Sequence, residues 1–344
     1  MKRRTLFGTG LGAMVVAGQP ARAQASLSLS LVTDRPDAAR ALVARIAAVS
    51  GGMIALNVTQ RPSTDAAAFL QIVSSGAADI YLSAAEAFVG SNPAFGIFSA
   101  MPGGMSPSEL EGWMSAGDGG FLLDLLGMEH GVKAFMIGDD GPLPLWSKAP
   151  LTGLDDLTGA AVGSVGLAVH AMRALGVGSV VDIRAEAVDL ASLDVFEGLS
   201  VAQMESAGLL ASFAHMTTPN AGRPSAALSV GINLKTWNAL SDAQKGIVER
   251  CIMAEHGLNR TISMHQSALT LQAAGAAINR HAMPTDIWDA QIAAANQVMS
   301  DIFAASTLDA DVAGGYLFFI GDVAGWSEIG EAAFVAARKG ALGQ

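Results

Sequence analysis

Two neighbouring carboxylates, Asp139 and Asp140, end a predicted strand and are followed by Gly141. Paired acids can divide general-acid and general-base work between them. Aspartates ahead of a glycine at a strand end also form turns, and that is the reading adopted here. The six histidines (His130, His170, His215, His256, His265 and His281) contain no H-x-x-x-H pair that would place two ligands on one helix face. Gly163-Ser164-Val165-Gly166 lacks the spacing of a nucleophile elbow. No phosphate loop ends in Gly-Lys-Ser/Thr, and no G-x-G-x-x-G follows the first predicted strand. These absences predict no catalytic residue, no metal site and no cofactor, so the chain reads as a binding protein and not an enzyme.

The two ends of the composition narrow the setting. Lys2, Arg3 and Arg4 precede Leu6-Phe7 and a short apolar run, and Ala21-Arg22-Ala23 supplies a small-x-small cleavage pattern. Residues 1–23 therefore read as a signal peptide, with paired arginines of the twin-arginine kind, which implies export to the periplasm. The apolar run is too short to anchor the chain in a bilayer, so no direct membrane insertion is expected. Removing this segment takes away four basic residues and no acidic one, leaving 16 basic residues against 31 acidic ones. Such an excess of negative charge repels nucleic acid and anionic membrane surfaces alike. Cys251 is the single cysteine, so no intrachain disulfide can form. With 51% hydrophobic residues in 344, packing alone can support two domains.

The elements that must position any site alternate in type. Residues 26–32 alternate serine with leucine, as a strand half-buried on one face does. Pro36 opens a helix that Gly51-Gly52 ends, residues 53–58 form a second strand, and a helix over 64–75 leads to a strand at 79–82. This β-α-β-α-β order predicts a parallel sheet covered by helices. Ser106-Pro107-Ser108-Glu109 and Ser241 with Gln244 are capping boxes that start helices, the second running past Gln272. A second α/β unit is expected over 160–183, followed by a helix over 190–198 and a strand over 201–205. Residues 227–233 read as a long apolar strand, and the tail is helical. The expected fold is α/β and two-lobed, a clamshell with a mostly parallel sheet in each lobe, hinge strands and a long helical C-terminal part. Residues 24–145 would form the first lobe and 146–225 the second, each completed by parts of 226–344.

Gln71-Ile72-Val73-Ser74-Ser75-Gly76-Ala77-Ala78-Asp79-Ile80 resembles the solute-binding proteins of TRAP (tripartite ATP-independent periplasmic) transporters. Asn92-Pro93-Ala94-Phe95 and Met101-Pro102-Gly103-Gly104-Met105 resemble the branch that binds 2-oxoacids and related monocarboxylates. The likeness continues through Gly131-Val132-Lys133-Ala134-Phe135, Leu154-Asp155-Asp156-Leu157-Thr158-Gly159, and the segment from Ile232 through Trp237 to Ser241. It implies a binding component that captures a small organic acid or related polar solute and delivers it to the TRAP permease membrane subunits. Two alternatives stand beside it: a ligand-binding partner of a membrane sensor, and a diverged scaffold with an altered or lost ligand site. Either a monomer or a homodimer is compatible with the resemblance.

The resemblance also points to site residues, with departures. The family pairs a ligand carboxylate with an arginine one strand after Leu-x-Gly, a position occupied here by Gly163, beside Ser164. A guanidinium fork matches two carboxylate oxygens, and its loss forgoes roughly 1.5–3 kcal/mol of charge-assisted contact. Arg223, just before the 227–233 strand, is the candidate substitute. The family's cation-ligating glutamate is matched by Glu205, but Ser206 stands where a tryptophan follows it. Pro142-Leu143-Pro144-Leu145 replaces an expected amide, which leaves too few hard oxygen ligands for a metal. Phe88, Asp140 and Trp146 complete the residues expected to line the cleft.

Overall fold

The computed structural model describes residues 27–341, so the signal-peptide reading of residues 1–23 lies outside the described residues. From its start the chain runs through β1 (Leu27–Thr33), α1 (Pro36–Val49), β2 (Ile54–Gln60), α2 (Phe69–Ser74) and β3 (Ile80–Ala84). Three helices follow, α3 (Ile97–Ala100), α4 (Pro107–Ser115) and α5 (Gly119–Glu129), before β4 (Val132–Asp139). The middle of the chain holds β5 (Leu145–Ser147), β6 (Ala161–Ser164), α6 (Leu167–Ala174), β7 (Ser179–Asp182), β8 (Val195–Phe196), α7 (Val201–Ser206) and β9 (His215–Thr218). The last part holds β10 (Ala227–Asn233), α8 (Leu234–Ala239), α9 (Asp242–Ala274), β11 (Asn279–Ala282), α10 (Thr285–Ala305), α11 (Thr307–Ile329) and α12 (Glu331–Ala341).

The strands form two sheets, one per lobe, ordered β2-β1-β3-β10-β4 and β11-β9-β5-β8-β6-β7. Both are mixed. The predicted β-α-β-α-β unit gives the parallel pairs β1·β2 and β1·β3. The returning strand β10 then runs antiparallel between β3 and β4. In the second sheet β6 pairs in parallel with β7 and β8, while β5 joins β8 to β9 antiparallel.

All seven residues of β10 are buried. Strict alternation sends Leu228, Val230 and Ile232 into the core shared with α1 and α9. Gly231 points the other way, towards Tyr81 in the opposite core. A Cβ at Gly231 would stand 2.1 Å from the Tyr81 ring. Gly231→Ala is therefore expected to cost about 2–3 kcal/mol, since close-packed cores accommodate an added methyl only by shifting neighbours. A urea unfolding curve checks this; a loss below about 0.5 kcal/mol would mean that the strand yields.

Two predicted elements change type. Residues 201–205, expected as a strand, form α7, because Ser200 accepts from the Gln203 backbone N–H and Gln203 returns the bond to Ser200. Residues 190–198, expected as a helix, form a single 3-10 turn, Leu190–Ser192, and the two-residue strand β8. The Asp189 side chain accepts from Ala191 and fixes that turn, which leaves no length for a helix. The capping boxes at Ser106 and Ser241 start α4 and α9 as expected.

Among the described residues, no helix is long and apolar enough to cross a membrane.

Candidate functional site

The carboxyl ends of the parallel strands gather most of the buried charge in the molecule. Asp34 and Arg35 follow β1, Glu86 follows β3 in a 3-10 turn, and Asp139 and Asp140 stand at the end of β4. From the second sheet, Ser164 ends β6, Arg184 follows β7 and Glu197 follows β8. Ligands of open α/β sheets bind beyond these ends, because loops there are free to vary while helix and strand dipoles converge. Here the two sets of ends face each other and touch.

Glu86 is the hub. Arg223, fully buried ahead of β10, donates from both terminal nitrogens to its carboxylate, with Nη2 to Oε1 at 3.0 Å. Arg184 reaches across from the second sheet to within 3.4 Å of Oε1. Burial alone would raise the Glu86 pKa, but Arg223 and Arg184 override it and hold the carboxyl at about 2. Glu197, also fully buried, accepts from Ser164 Oγ at 2.8 Å and from the Asn220 side chain. Asn220 in turn accepts from Gln291 of α10 at 3.0 Å. Burial pushes the Glu197 carboxyl up, against the pull of these donors and of Arg223. Asp139 accepts the backbone N–H groups of Gly141 and Ala226, which is the turn-forming role its sequence suggested. Its burial nevertheless lifts its pKa to about 7.

Above this layer lies a cavity of about 310 Å³ between the two lobes, with Asp34, Arg35, Asp140, Ser200, Gln203 and Ser263 on its walls. Asp140 accepts from Gln203 at 3.1 Å and from Ser263 at 3.2 Å, so α7 and α9 both lean on the end of β4.

The residues singled out in the sequence separate into three groups. Asp140 and Ser206 line the cavity, and Ser164 and Arg223 belong to the buried network beneath it. Arg223 has no free fork, since Glu86 holds it. Phe88 and Trp146, expected on the cleft wall, are core residues instead. Phe88 packs edge-on against Tyr81 and Phe95, and Trp146 is sealed beside Phe196 with its indole N–H donated to the Leu199 carbonyl at 3.1 Å. Glu205, expected at a strand end, is an exposed residue of α7 that accepts from Thr270 Oγ1 at 3.1 Å and makes no hydrogen bond to the buried network. Gly163 sits on β6, between β8 and the edge strand β7, where an added Cβ would come within 2.5 Å of Leu193 and 2.7 Å of Ile183. An arginine has no room there.

Asp34, Arg35, Glu86, Arg184, Glu197, Asn220 and Gln291 were not singled out. For Asp34, Arg35, Glu86 and Arg184 the signal was positional, since each follows a predicted strand; Glu197, Asn220 and Gln291 carried no such signal.

No family model matches the chain. A monocarboxylate 2-oxoacid-binding periplasmic protein from a Nostoc species is 24% identical over 212 residues, which span 60% of this chain and 58% of that relative. The chain thus aligns with somewhat over half of the relative's length. Among solved structures, a TRAP transporter solute-binding protein from Bordetella bronchiseptica superposes with a TM-score of 0.83 over 92% of this chain and 98% of its own, at 17% identity. That protein is a mixed-occupancy dimer with copurified calcium and picolinate in one site. A TRAP periplasmic solute-binding protein from Colwellia psychrerythraea, with bound calcium and pyruvate, gives 0.84 over 91% and 99% at 19% identity. These likenesses establish the fold. Among the described residues, no group of three or more His, Cys, Asp or Glu is placed to hold a metal ion.

Proposed function

We propose that this chain, which has the fold of the TRAP periplasmic solute-binding proteins, captures a small polar solute between its lobes in the periplasm and delivers it to a membrane permease. The observation that carries this reading is the cross-lobe charge cluster under an open cavity at the strand ends. A structural core has no need of several buried ionised groups, each costly to desolvate. A site that must open, admit a polar solute and close again does need them. The absence of any nucleophile-and-base arrangement in the cluster favours binding over catalysis. On this reading residues 24–145 and 146–225 are the moving lobes, each completed from the C-terminal part.

A thermal-shift screen against organic acids, amides and sugars tests the proposal. A ligand present at 100 times its dissociation constant adds about 2.7 kcal/mol of stability, an easily measured shift. A blank screen across all three classes would favour the scaffold that has lost its ligand. Pyruvate in particular is expected to bind above about 100 μM, because the missing fork at Gly163 removes one to two decades of affinity at 1.4 kcal/mol each. Calorimetry giving low-micromolar pyruvate affinity would contradict that.

The finer features follow the same reading. Export by the folded-protein route would use Arg3 and Arg4; changing both to lysine is then expected to leave precursor in the cytoplasm, and normal periplasmic accumulation would exclude that route. A homodimer would have the exposed Phe318, Trp326, Ile329 and Phe334 of α11 and α12 to cover.

A further inference from the structure

The Arg223 fork and one terminal nitrogen of Arg184 are committed to the protein itself. Arg223 spends both terminal nitrogens on Glu86, and Arg184 Nη2 lies 3.4 Å from the same carboxylate. Glu86 therefore sits where the carboxylate of an anionic ligand would have to sit, and it is already bound there.

Asp34 is in the opposite condition. Its side chain is only 1% exposed, yet neither carboxylate oxygen has a hydrogen-bond partner. The nearest cationic atoms, Arg35 Nε at 3.7 Å and Arg184 Nη1 at 3.9 Å, are beyond hydrogen-bonding length and are themselves unpartnered. Asp34 belongs to the wall of the 310 Å³ cavity, whose other charged residues are Asp37, Arg35 and Asp140. The wall is thus acidic on balance, and its remaining polar residues are hydroxyls and amides such as Ser200, Gln203 and Asn259. A buried carboxylate without donors is costly, and a donor cation arriving with the solute removes that cost.

We infer that the solute carries a protonated amine that docks on Asp34, and that Glu86 disfavours simple carboxylates by occupying the Arg223 fork and Arg184 Nη2, which leaves Arg184 Nη1 and Arg35 Nε for an oxygen of a solute already anchored by its amine. The inference rests on the binding function proposed above and narrows its ligand class. An ammonium supplies three donors, enough for both Asp34 oxygens. A hydroxyl or carboxylate oxygen on the next carbon of the solute would then accept from Arg35 Nε and Arg184 Nη1. Amino alcohols and amino acids share this chemistry.

Isothermal titration of the mature protein with ethanolamine, L-alanine, ethylene glycol, pyruvate and calcium chloride separates the cases. Ethanolamine or alanine is expected to bind at least tenfold more tightly than ethylene glycol or pyruvate. Asp34→Asn is expected to lower that affinity at least tenfold with a smaller drop in melting temperature than Arg223→Ala, since Asp34 makes no hydrogen bond and only the longer ionic contacts to Arg35 and Arg184. Glu86→Gln, which frees the Arg223 fork, is expected to gain pyruvate binding. Amine binding unchanged in the Asp34→Asn protein would overturn the inference. So would pyruvate or calcium binding to the wild type more tightly than either amine; the binding function would then stand with a different ligand. If none of the five probes binds and the thermal screen is also blank, the binding function itself falls.

Discussion

Arg223→Ala is expected to destabilise the protein by about 3–5 kcal/mol, lowering its melting temperature by roughly 6–10 °C. The reason is what the substitution leaves behind more than what it removes. Glu86 is 2% exposed and ionised down to a pH of about 2, held there by Arg223 and Arg184 against its burial. Without Arg223 its only cationic contact within 4 Å among the described residues is Arg184, at 3.4 Å and without hydrogen-bond geometry. A buried carboxylate in that position must either stay charged at high cost or take up a proton, and its pKa rises. Removing both charges together is a different experiment. Arg223→Met combined with Glu86→Gln is expected to recover at least half the loss, because no buried carboxylate is left unpaired and Arg184 keeps Asp34 at 3.9 Å. Urea unfolding at pH 7 measures all three proteins. An Arg223→Ala loss below about 1 kcal/mol would mean that the lobes open in solution and water solvates Glu86. The same pair shapes the acid limb of stability. Glu86 is depressed below its unfolded pKa, so its contribution is complete above about pH 5 and disappears as the pH falls from there through about 2.

The fold was written in local signals where those signals are long. The seven buried, mostly apolar residues of β10, the alternating serines and leucines of β1, and the reciprocal caps at Ser106 and Ser241 each carry several residues of consistent pattern. Elements that are short defeat periodicity. β8 has two residues and β5 has three, and both are specified by pairing with neighbouring strands more than by their own composition. α7 was misjudged because Val201-Ala202-Gln203-Met204 is apolar enough for a strand, although Ser200 and Gln203 carried the helix-starting signature. The site was less legible still. Glu86 and Arg223 lie 137 residues apart, and nothing in either local stretch announces the partner. An arginine in a loop reads as solvated until the loop proves to be buried. What could have been read is the rule that strand carboxyl ends build the site, which marks Asp34, Glu86 and Asp139 before any pairing is known. The resemblance led towards Gly163 and Glu205, but the packing around Gly163 and the exposure of Glu205 leave the buried charge elsewhere.

Asp139 is expected to make the protein lose stability as the pH rises through neutrality, and Asp139→Asn is expected to abolish much of that loss. Burial raises its carboxyl to about 7, and Asp140 beside it pushes the same way, while the N–H groups of Ala226 and Gly141 pull only partly against them. An unfolded aspartate titrates near 3.9, so between about pH 4 and 7 the folded state holds the extra proton. Stability then falls with rising pH across that window, since its slope follows the protons bound in the unfolded state minus those in the folded state. A rise of about three units corresponds to an upper bound of about 4 kcal/mol, and roughly 2–3 kcal/mol of it would be lost between pH 5 and 8. Asparagine keeps an oxygen to accept from Gly141 and Ala226, at 2.7 and 3.1 Å in the wild type, but has no charge to acquire. The second oxygen, Oδ2, has no partner, so the amide nitrogen that replaces it breaks no bond. Glu86 does not confuse the measurement, because it titrates well below the window. Glu197 shifts upward as well and remains in both proteins, so the informative quantity is the difference between them. Wild type and variant are expected to match near pH 5 and to separate by pH 8, the variant being the more stable. Unfolding free energies that run parallel from pH 5 to 8 would show that Asp139 stays ionised throughout, with water or an opened cleft supplying the solvation that its burial withholds.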